Sequence, residues 1–208
     1  MKVTSNRELA GAAGVPSARR AFLAMLVAPT LASARQPRLP VIGPAPAFAL
    51  VDQKGRALSL ADLRGKVLAI TFVFTTCSDT CPIVTAKMSA IWRRLGTDLR
   101  SRVHFLSISV DPLTDTPERL RAYAAKFDAD VPGWSFLTGT PAQIDGVVRG
   151  FGAYARRAEA GAVDHLTLTS LVDAKGKTRS TTGRMSPSSM RDVISANWSP
   201  FALMKRNE

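Results

Sequence analysis

The sequence contains very little cysteine and histidine, with only two residues of each among 208. A disulfide scaffold needs several paired cysteines, so this chain does not belong to that class. Cys77 and Cys81 are therefore interpreted as a site. A structural disulfide is the weaker alternative, because such a short loop constrains the unfolded chain little.

Long apolar runs are also missing after residue 34, where no segment approaches the about 20 residues of a membrane-spanning helix. Near the start, Arg19 and Arg20 precede a short apolar run, and residues 32–34 form a small-residue cleavage pattern. Residues 1–34 are predicted to be an export signal, and the Arg-Arg pair is typical of the twin-arginine route. The alternative is an uncleaved amphipathic anchor. Residues 35–46 are predicted to be an extended lead-in and 47–208 the folded domain.

Acidic residues are scarce, with 16 Asp and Glu against 28 Lys and Arg, so the formal net charge is +12. A basic surface attracts acidic partners and anionic membranes, and peripheral membrane association is one expectation. The basic residues are mostly dispersed and no nucleic-acid-binding motif is present. We therefore predict that nucleic acid is not a partner.

Apolar strand patterns alternate with helical patterns along the domain. The predicted order is strands 48–51, 57–60 and 66–74, helix 82–95, strand 103–110, helix 116–127, strand 134–137, helix 141–151, strands 163–172 and 178–182, and helix 186–194. Helices between strands predict an α/β fold with a central mixed β-sheet flanked by helices. With an N-terminal β-hairpin and an inserted C-terminal hairpin, the order fits the thioredoxin-like class.

Cys77 and Cys81 lie on the polar turn between the strand 66–74 and the helix that begins near Pro82. On a helical turn, positions i and i+4 share one face, about 5–6 Å apart between Cβ atoms. A helix N-terminus stabilises thiolate, which is both the redox nucleophile and a soft metal ligand. The pair could thus exchange disulfides or bind Cu(I) or Zn(II), and its placement does not separate these functions.

A metal site would need a third ligand, and the chain offers two histidines. His104 lies inside an apolar strand, where a histidine is usually packed or hydrogen-bonded. His165 stands at the entry to a strand, beside Asp164, which could orient its ring. His165 is the better candidate, but spacing alone leaves its role open.

Four blocks of sequence carry a recognisable pattern: 72–82 with its C-x-x-x-C-P motif, 107–120, 136–139, and 163–176 around His165. Together they resemble the Sco/SenC family of copper-binding proteins, which assist cytochrome c oxidase assembly. The resemblance covers about residues 46–197. The family commonly has proline after the first cysteine, where this chain has Ser78, so its turn is expected to be less rigid.

The resemblance implies a thioredoxin-like fold and copper, as Cu(I) and also Cu(II), bound by Cys77, Cys81 and His165. It implies a metallochaperone, without enzymatic activity of its own, that delivers copper to the binuclear site of the oxidase's copper-bearing subunit or to another periplasmic acceptor. A thiol reductant would keep the pair reduced. The family's usual transmembrane anchor is not apparent, so a protein soluble in the periplasm after signal cleavage is expected.

The cysteines are also compatible with two further functions. In the first, Cys77 and Cys81 are the catalytic pair of a thiol–disulfide oxidoreductase that keeps a partner's copper-site cysteines reduced. Thioredoxins use C-x-x-C, and this spacing is one residue longer. In the second, the protein is a peroxidase of the peroxiredoxin type. That motif needs a proline seven residues before its cysteine, where Ile70 and Phe74 stand instead, so the sequence disfavours it.

Overall fold

The structure is a computed structural model that describes residues 40–153, 155–157, 163–165 and 169–182. The export signal and the final helix predicted from sequence lie outside the described residues. Within the described part of the chain, no helix is long and apolar enough to cross a bilayer.

The described strands form an eight-stranded mixed sheet and a separate two-stranded sheet. The strands are β1 (Gly43–Pro44), β2 (Ala49–Asp52), β3 (Ala57–Ser59), β4 (Val67–Val73), β5 (Val103–Ser109), β6 (Trp134–Thr138), β7 (Ala155–Arg157), β8 (Val163–His165), β9 (Thr169–Val172) and β10 (Lys177–Thr182). The order in the main sheet is β1-β10-β9-β4-β5-β6-β2-β3, and β7 pairs with β8.

The central strand β4 is buried along its whole length. Its apolar and β-branched residues suit a strand covered on both faces. It runs parallel to β5 in a register that ends with Val73 opposite Ser109, and β6 runs parallel to β5 in turn. The carboxyl ends of β4 and β5 therefore meet at one edge of the sheet, and the cysteine turn emerges there.

Of the four α-helices in the described residues, the last two begin at side-chain caps that the sequence provides. The four are α1 (Thr80–Arg94), α2 (Thr97–Arg102), α3 (Pro117–Ala125) and α4 (Pro141–Gly150). The Thr116 side chain caps α3 by accepting a hydrogen bond from the Arg119 N–H, and proline takes an early helical position. Thr140 and Gln143 form a reciprocal capping box on α4.

Alternate residues of the central strands supply a separate apolar core on each face of the sheet. Trp92 of α1, Phe105 of β5 and Trp134 of β6 lie on one face, with ring centroids 5.0 and 5.3 Å apart. On the other face, Ile70 and Ile108 pack in a cluster with Ile144 of α4. The sheet that carries the cysteine turn is therefore covered by apolar side chains on both faces.

Three details differ from the sequence predictions. The strand predicted over 163–172 is two strands, because β8 pairs with β7 while β9 is inserted between β4 and β10. The short helix α2, which starts after Gly96, is not among the predicted elements. The lead-in contributes β1, which pairs with β10. These differences depend on pairing partners distant in sequence, which local patterns do not specify.

Candidate metal centre

Both cysteines lie on the turn that joins the buried strand β4 to α1. The chain turns immediately after the strand, since the Cys77 N–H donates to the Phe74 carbonyl at 3.2 Å. Helix α1 then begins at Thr80, so Cys81 already lies in its first turn. The predicted order of strand, cysteine turn and helix is confirmed.

The two thiols share one local environment but differ in exposure. Neither forms a disulfide, and the Cys81 backbone N–H donates to the Cys77 sulfur at 3.5 Å. Cys77 is half-buried, whereas only 2% of Cys81 is exposed. An incoming molecule therefore meets the Cys77 sulfur first.

The local environment shifts the two thiol pKa values in opposite directions. Burial acts to raise the pKa of Cys77, but backbone N–H groups of Cys81, Asp79 and Thr80 point at its sulfur, and the pKa is lowered overall. Burial raises the pKa of Cys81 to about 12, and the neighbouring Cys77 adds to the rise. The stabilisation expected at a helix N-terminus is found for Cys77 alone. The pair thus combines a more exposed and more acidic thiol, Cys77, with a buried and less acidic one, Cys81.

A buried carboxylate holds the beginning of the cysteine turn. Asp115 accepts hydrogen bonds from the Thr75 N–H at 3.2 Å and from the Thr75 hydroxyl at 2.5 Å. Its second oxygen accepts from the Ser109 hydroxyl at 2.6 Å, at the end of β5. Burial raises the pKa of Asp115, against the effect of these donors. Sequence reasoning missed this residue, because an aspartate before a Thr-Pro helix start looks like an ordinary cap.

The hydroxyls of Thr85 and Tyr123 form a hydrogen-bond chain to the first turn of α1. Thr85 donates from its Oγ1 to the Cys81 carbonyl at 2.9 Å. The Tyr123 hydroxyl lies 3.1 Å from Thr85 Oγ1. Since the Thr85 proton is used on the carbonyl, Tyr123 is the donor to Thr85. Burial raises the pKa of Tyr123 to about 12, which keeps it a neutral phenol.

His104 is a packed, hydrogen-bonded residue, as its position in a strand suggested. It stands opposite Leu68 near the start of β5, at the other end of the strand from the cysteine turn. Its Nε2 lies 2.9 Å from the Ser135 hydroxyl. Burial, followed by the charge of Lys66, lowers the pKa of His104 to about 4, so the ring is neutral near pH 7.

The backbone of His165 lies in β8, opposite Ala155 of β7. Its side chain is outside the described part of the structure, so its role as third ligand stays a prediction. Within the described ranges, no group of three or more Cys, His, Asp or Glu side chains could hold a metal ion. The described portion of the candidate site is therefore the thiol pair, whose two sulfur donors suit a soft metal.

Apolar groups surround the thiol pair at the same edge of the sheet. Val73, Phe74 and Cys81 form a small cluster, against which Cys77 and Val110 pack. Val110 also lines an adjacent cleft of about 370 Å³ together with Leu113, which is 75% exposed. Exposed apolar surface beside a reactive group is typical of a protein-docking site.

Comparison with known proteins identifies close relatives of this chain. A family model described as SCO1/SenC matches residues 42–198. The SCO1 protein homolog of Bacillus subtilis (strain 168) is 37% identical over 92 residues, which are 44% of this chain and 47% of that protein. The alignment thus spans only about half of the curated relative.

Solved structures are matched along nearly their whole length. ScoI of Bradyrhizobium japonicum, solved with copper bound, is 32% identical with a TM-score of 0.63, covering 71% of this chain and 96% of that one. BsSco, studied for a disulfide switch and described as a member of the Sco family of cytochrome c oxidase assembly proteins, is 30% identical with a TM-score of 0.64, covering 76% and 95%. The predicted thioredoxin-like α/β fold is confirmed.

Proposed function

The chain belongs to the SCO1/SenC family, and from this membership we propose that it is a periplasmic copper metallochaperone. Its cargo would be held by Cys77, Cys81 and His165. The observation that carries the proposal is the shared turn of the two thiols, where the Cys81 N–H contacts the Cys77 sulfur at 3.5 Å. Copper bound to the similar ScoI protein supports the choice of metal.

Cu(I) suits this donor set because thiolates are soft ligands. The lowered pKa of Cys77 provides a thiolate for the first bond. Cys81, with its pKa raised to about 12, must release its proton as the second bond forms. Copper binding should therefore weaken as the pH falls and protons compete for the sulfurs.

Release of the cargo requires that an acceptor's ligands reach the metal. The half-buried sulfur of Cys77 leaves one side open, and exposed Leu113 and Ile83 provide apolar surface at the same edge. The proposed acceptor is the copper-bearing subunit of cytochrome c oxidase or another periplasmic copper acceptor. The description of BsSco as one of the oxidase assembly proteins supports this partner.

The proposed compartment has a chemical consequence. In an oxidising periplasm, Cys77 and Cys81 would form a disulfide and lose both thiolates, so a thiol reductant is part of the proposal. The export signal predicted for residues 1–34 supports this location, with peripheral membrane association through the basic surface.

The test is a Cu(I) titration of the reduced protein against a competing chelator. One tightly bound copper per chain is expected, abolished in Cys77→Ser and weakened in His165→Ala, which leaves only two thiolates. His104→Gln is the matched control, because His104 is bonded to Ser135 at the other end of β5 and should not affect copper. Tight binding that survives Cys77→Ser would rule out the proposed site.

The opposite pKa shifts of Cys77 and Cys81 favour one second candidate, a thiol–disulfide oxidoreductase. The Cys77 thiolate would attack a partner disulfide, form a mixed disulfide and release one partner thiol. Cys81 would then lose its proton, attack the Cys77 sulfur and release the second thiol. The partner gains two electrons and the pair loses two. This activity would not depend on His165, whereas the copper affinity would.

A further inference from the structure

Asp115 is buried without the arginine partner that the buried carboxylates of Asp52 and Asp173 have. Asp52, Asp115 and Asp173 are 2%, 0% and 1% exposed. Asp52 and Asp173 each pair with an arginine at 2.7 Å. None of the ion pairs found among the described residues includes Asp115. Because burying a carboxylate without a countercharge is costly, the position of Asp115 calls for a reason.

The hydrogen bonds of Asp115 join three segments at the thiol edge of the sheet. Thr75, two residues before Cys77, donates its N–H and its hydroxyl to the carboxylate. Ser109, the last residue of β5, donates its hydroxyl. The Asp115 N–H itself donates to the Asp111 carbonyl at 2.9 Å, within the loop that leads to α3.

We propose that Asp115 is a positioning residue of the thiol site, whose carboxylate fixes the Cys77 turn to the end of β5 and so sets the copper affinity and the reduction potential of the Cys77–Cys81 pair. The inference deepens the proposed function and rests on these two cysteines being the working pair. It adds to the site a residue outside the proposed ligand set of Cys77, Cys81 and His165.

The placement of Thr75 explains how Asp115 could act on the sulfurs. Within the turn, the Cys77 N–H donates to the Phe74 carbonyl. The Thr75 hydroxyl adds a side-chain link to Asp115, which in turn accepts from Ser109 at the end of β5. If the carboxylate is lost, the turn gains conformational freedom. Bringing Cys77 and Cys81 together on one metal ion then requires that freedom to be lost again on binding, which lowers affinity.

The same hydrogen bonds act on the disulfide equilibrium of the pair. A disulfide between Cys77 and Cys81 requires the two sulfurs to be held close together, and the bonds from Thr75 to Asp115 restrict the turn that holds them. Losing these bonds in Asp115→Asn should therefore favour the dithiol over the disulfide.

The test compares Asp115→Asn with a matched control, Asp173→Asn. Both carboxylates are buried and both accept backbone N–H bonds, but Asp173 holds the β9–β10 turn through Lys175 and Lys177. A second pair of variants probes the other partner. Thr75→Ser keeps the hydroxyl, whereas Thr75→Val removes it at nearly the same shape.

Three quantities are measured: Cu(I) affinity, the equilibrium of the metal-free protein with a reference dithiol, and amide exchange at Thr75. In Asp115→Asn, copper affinity should fall about tenfold or more, as expected for losing charge-assisted hydrogen bonds. The dithiol equilibrium should move about threefold or more toward the reduced form. Thr75 exchange should accelerate about tenfold. Thr75→Val should show the loss of copper affinity, while Thr75→Ser and Asp173→Asn should match the wild type in all three.

Smaller changes in Asp115→Asn, equal changes in Asp173→Asn, or a shift toward the disulfide would overturn the inference. A failure of the proposed function is distinguishable from this. If the wild-type protein bound no copper, the function would be wrong, and the dithiol equilibrium and Thr75 exchange of the metal-free protein would still decide the role of Asp115.

Discussion

The backbone N–H of Cys81 donates to the sulfur of Cys77 across 3.5 Å, so one cysteine's main chain stabilises the other cysteine's thiolate. This relationship follows from their spacing, because position i+4 of a turn that enters a helix directs its N–H back toward position i. It makes the pair asymmetric before any metal or partner arrives.

The asymmetry predicts unequal reactivity of the two thiols. Near neutral pH, Cys77 should be alkylated about tenfold faster than Cys81 or more, because Cys77 is more exposed and its pKa is lowered. Cys81→Ser should stay reactive, since the backbone N–H at position 81 remains, whereas Cys77→Ser should react slowly. Alkylation rates followed by mass spectrometry measure this, and equal rates in the two variants would contradict it.

The hydrogen bonds of Tyr123 and Thr85 are expected to contribute to the free energy of unfolding. Tyr123→Phe removes the donor to Thr85 and should lower the free energy of unfolding by about 1 kcal/mol, while the ring contact with Phe127 is retained. Thr85→Val should lower it further, because the Cys81 carbonyl also loses a donor. Urea denaturation measures both changes, and a Tyr123→Phe protein as stable as the wild type would show that the hydrogen bond contributes nothing.

His104 predicts how stability depends on pH. Its pKa is lowered from 6.5 to about 4 in the folded protein, so the unfolded chain binds the proton more readily. The stability that the neutral ring contributes is therefore present above about pH 6.5 and is lost as the pH falls toward about 4, by roughly 3 kcal/mol. His104→Gln should flatten the curve of unfolding free energy against pH in this window. An unchanged slope in that variant would rule out His104 as its cause.

The close approach of Gly133, just before β6, to the Trp92 ring predicts that only glycine fits at this position. Its φ is +88°, and an added Cβ would lie 2.6 Å from the Trp92 ring. Gly133→Ala should lower the free energy of unfolding by about 2 kcal/mol or more, from backbone strain and displacement of the ring. Gly152→Ala is the matched control, because its φ is also positive, +68°, but nothing lies within 4 Å of the added atom. Thermal or urea unfolding would contradict the argument if both variants lost the same stability.

Much of the architecture could be predicted from local pattern. The apolar run of β4 and the proline starts of α3 and α4 carry their own signals, since burial on both faces and helix capping depend on neighbouring residues. The division of 163–172 between β8 and β9 carries no such signal. It is decided by which distant strands are available for pairing.

The sequence by itself determined that two soft donors, Cys77 and Cys81, lie on one turn at the start of a helix, because their spacing and the preceding strand are local properties. Only the tertiary structure decided that the pKa of Cys77 is lowered while that of Cys81 is raised, that His104 is a neutral packed residue, and that Asp115 holds the turn. Each of these depends on burial and on contacts between residues far apart in the chain, such as Thr75 with Asp115, which only the folded sheet brings together.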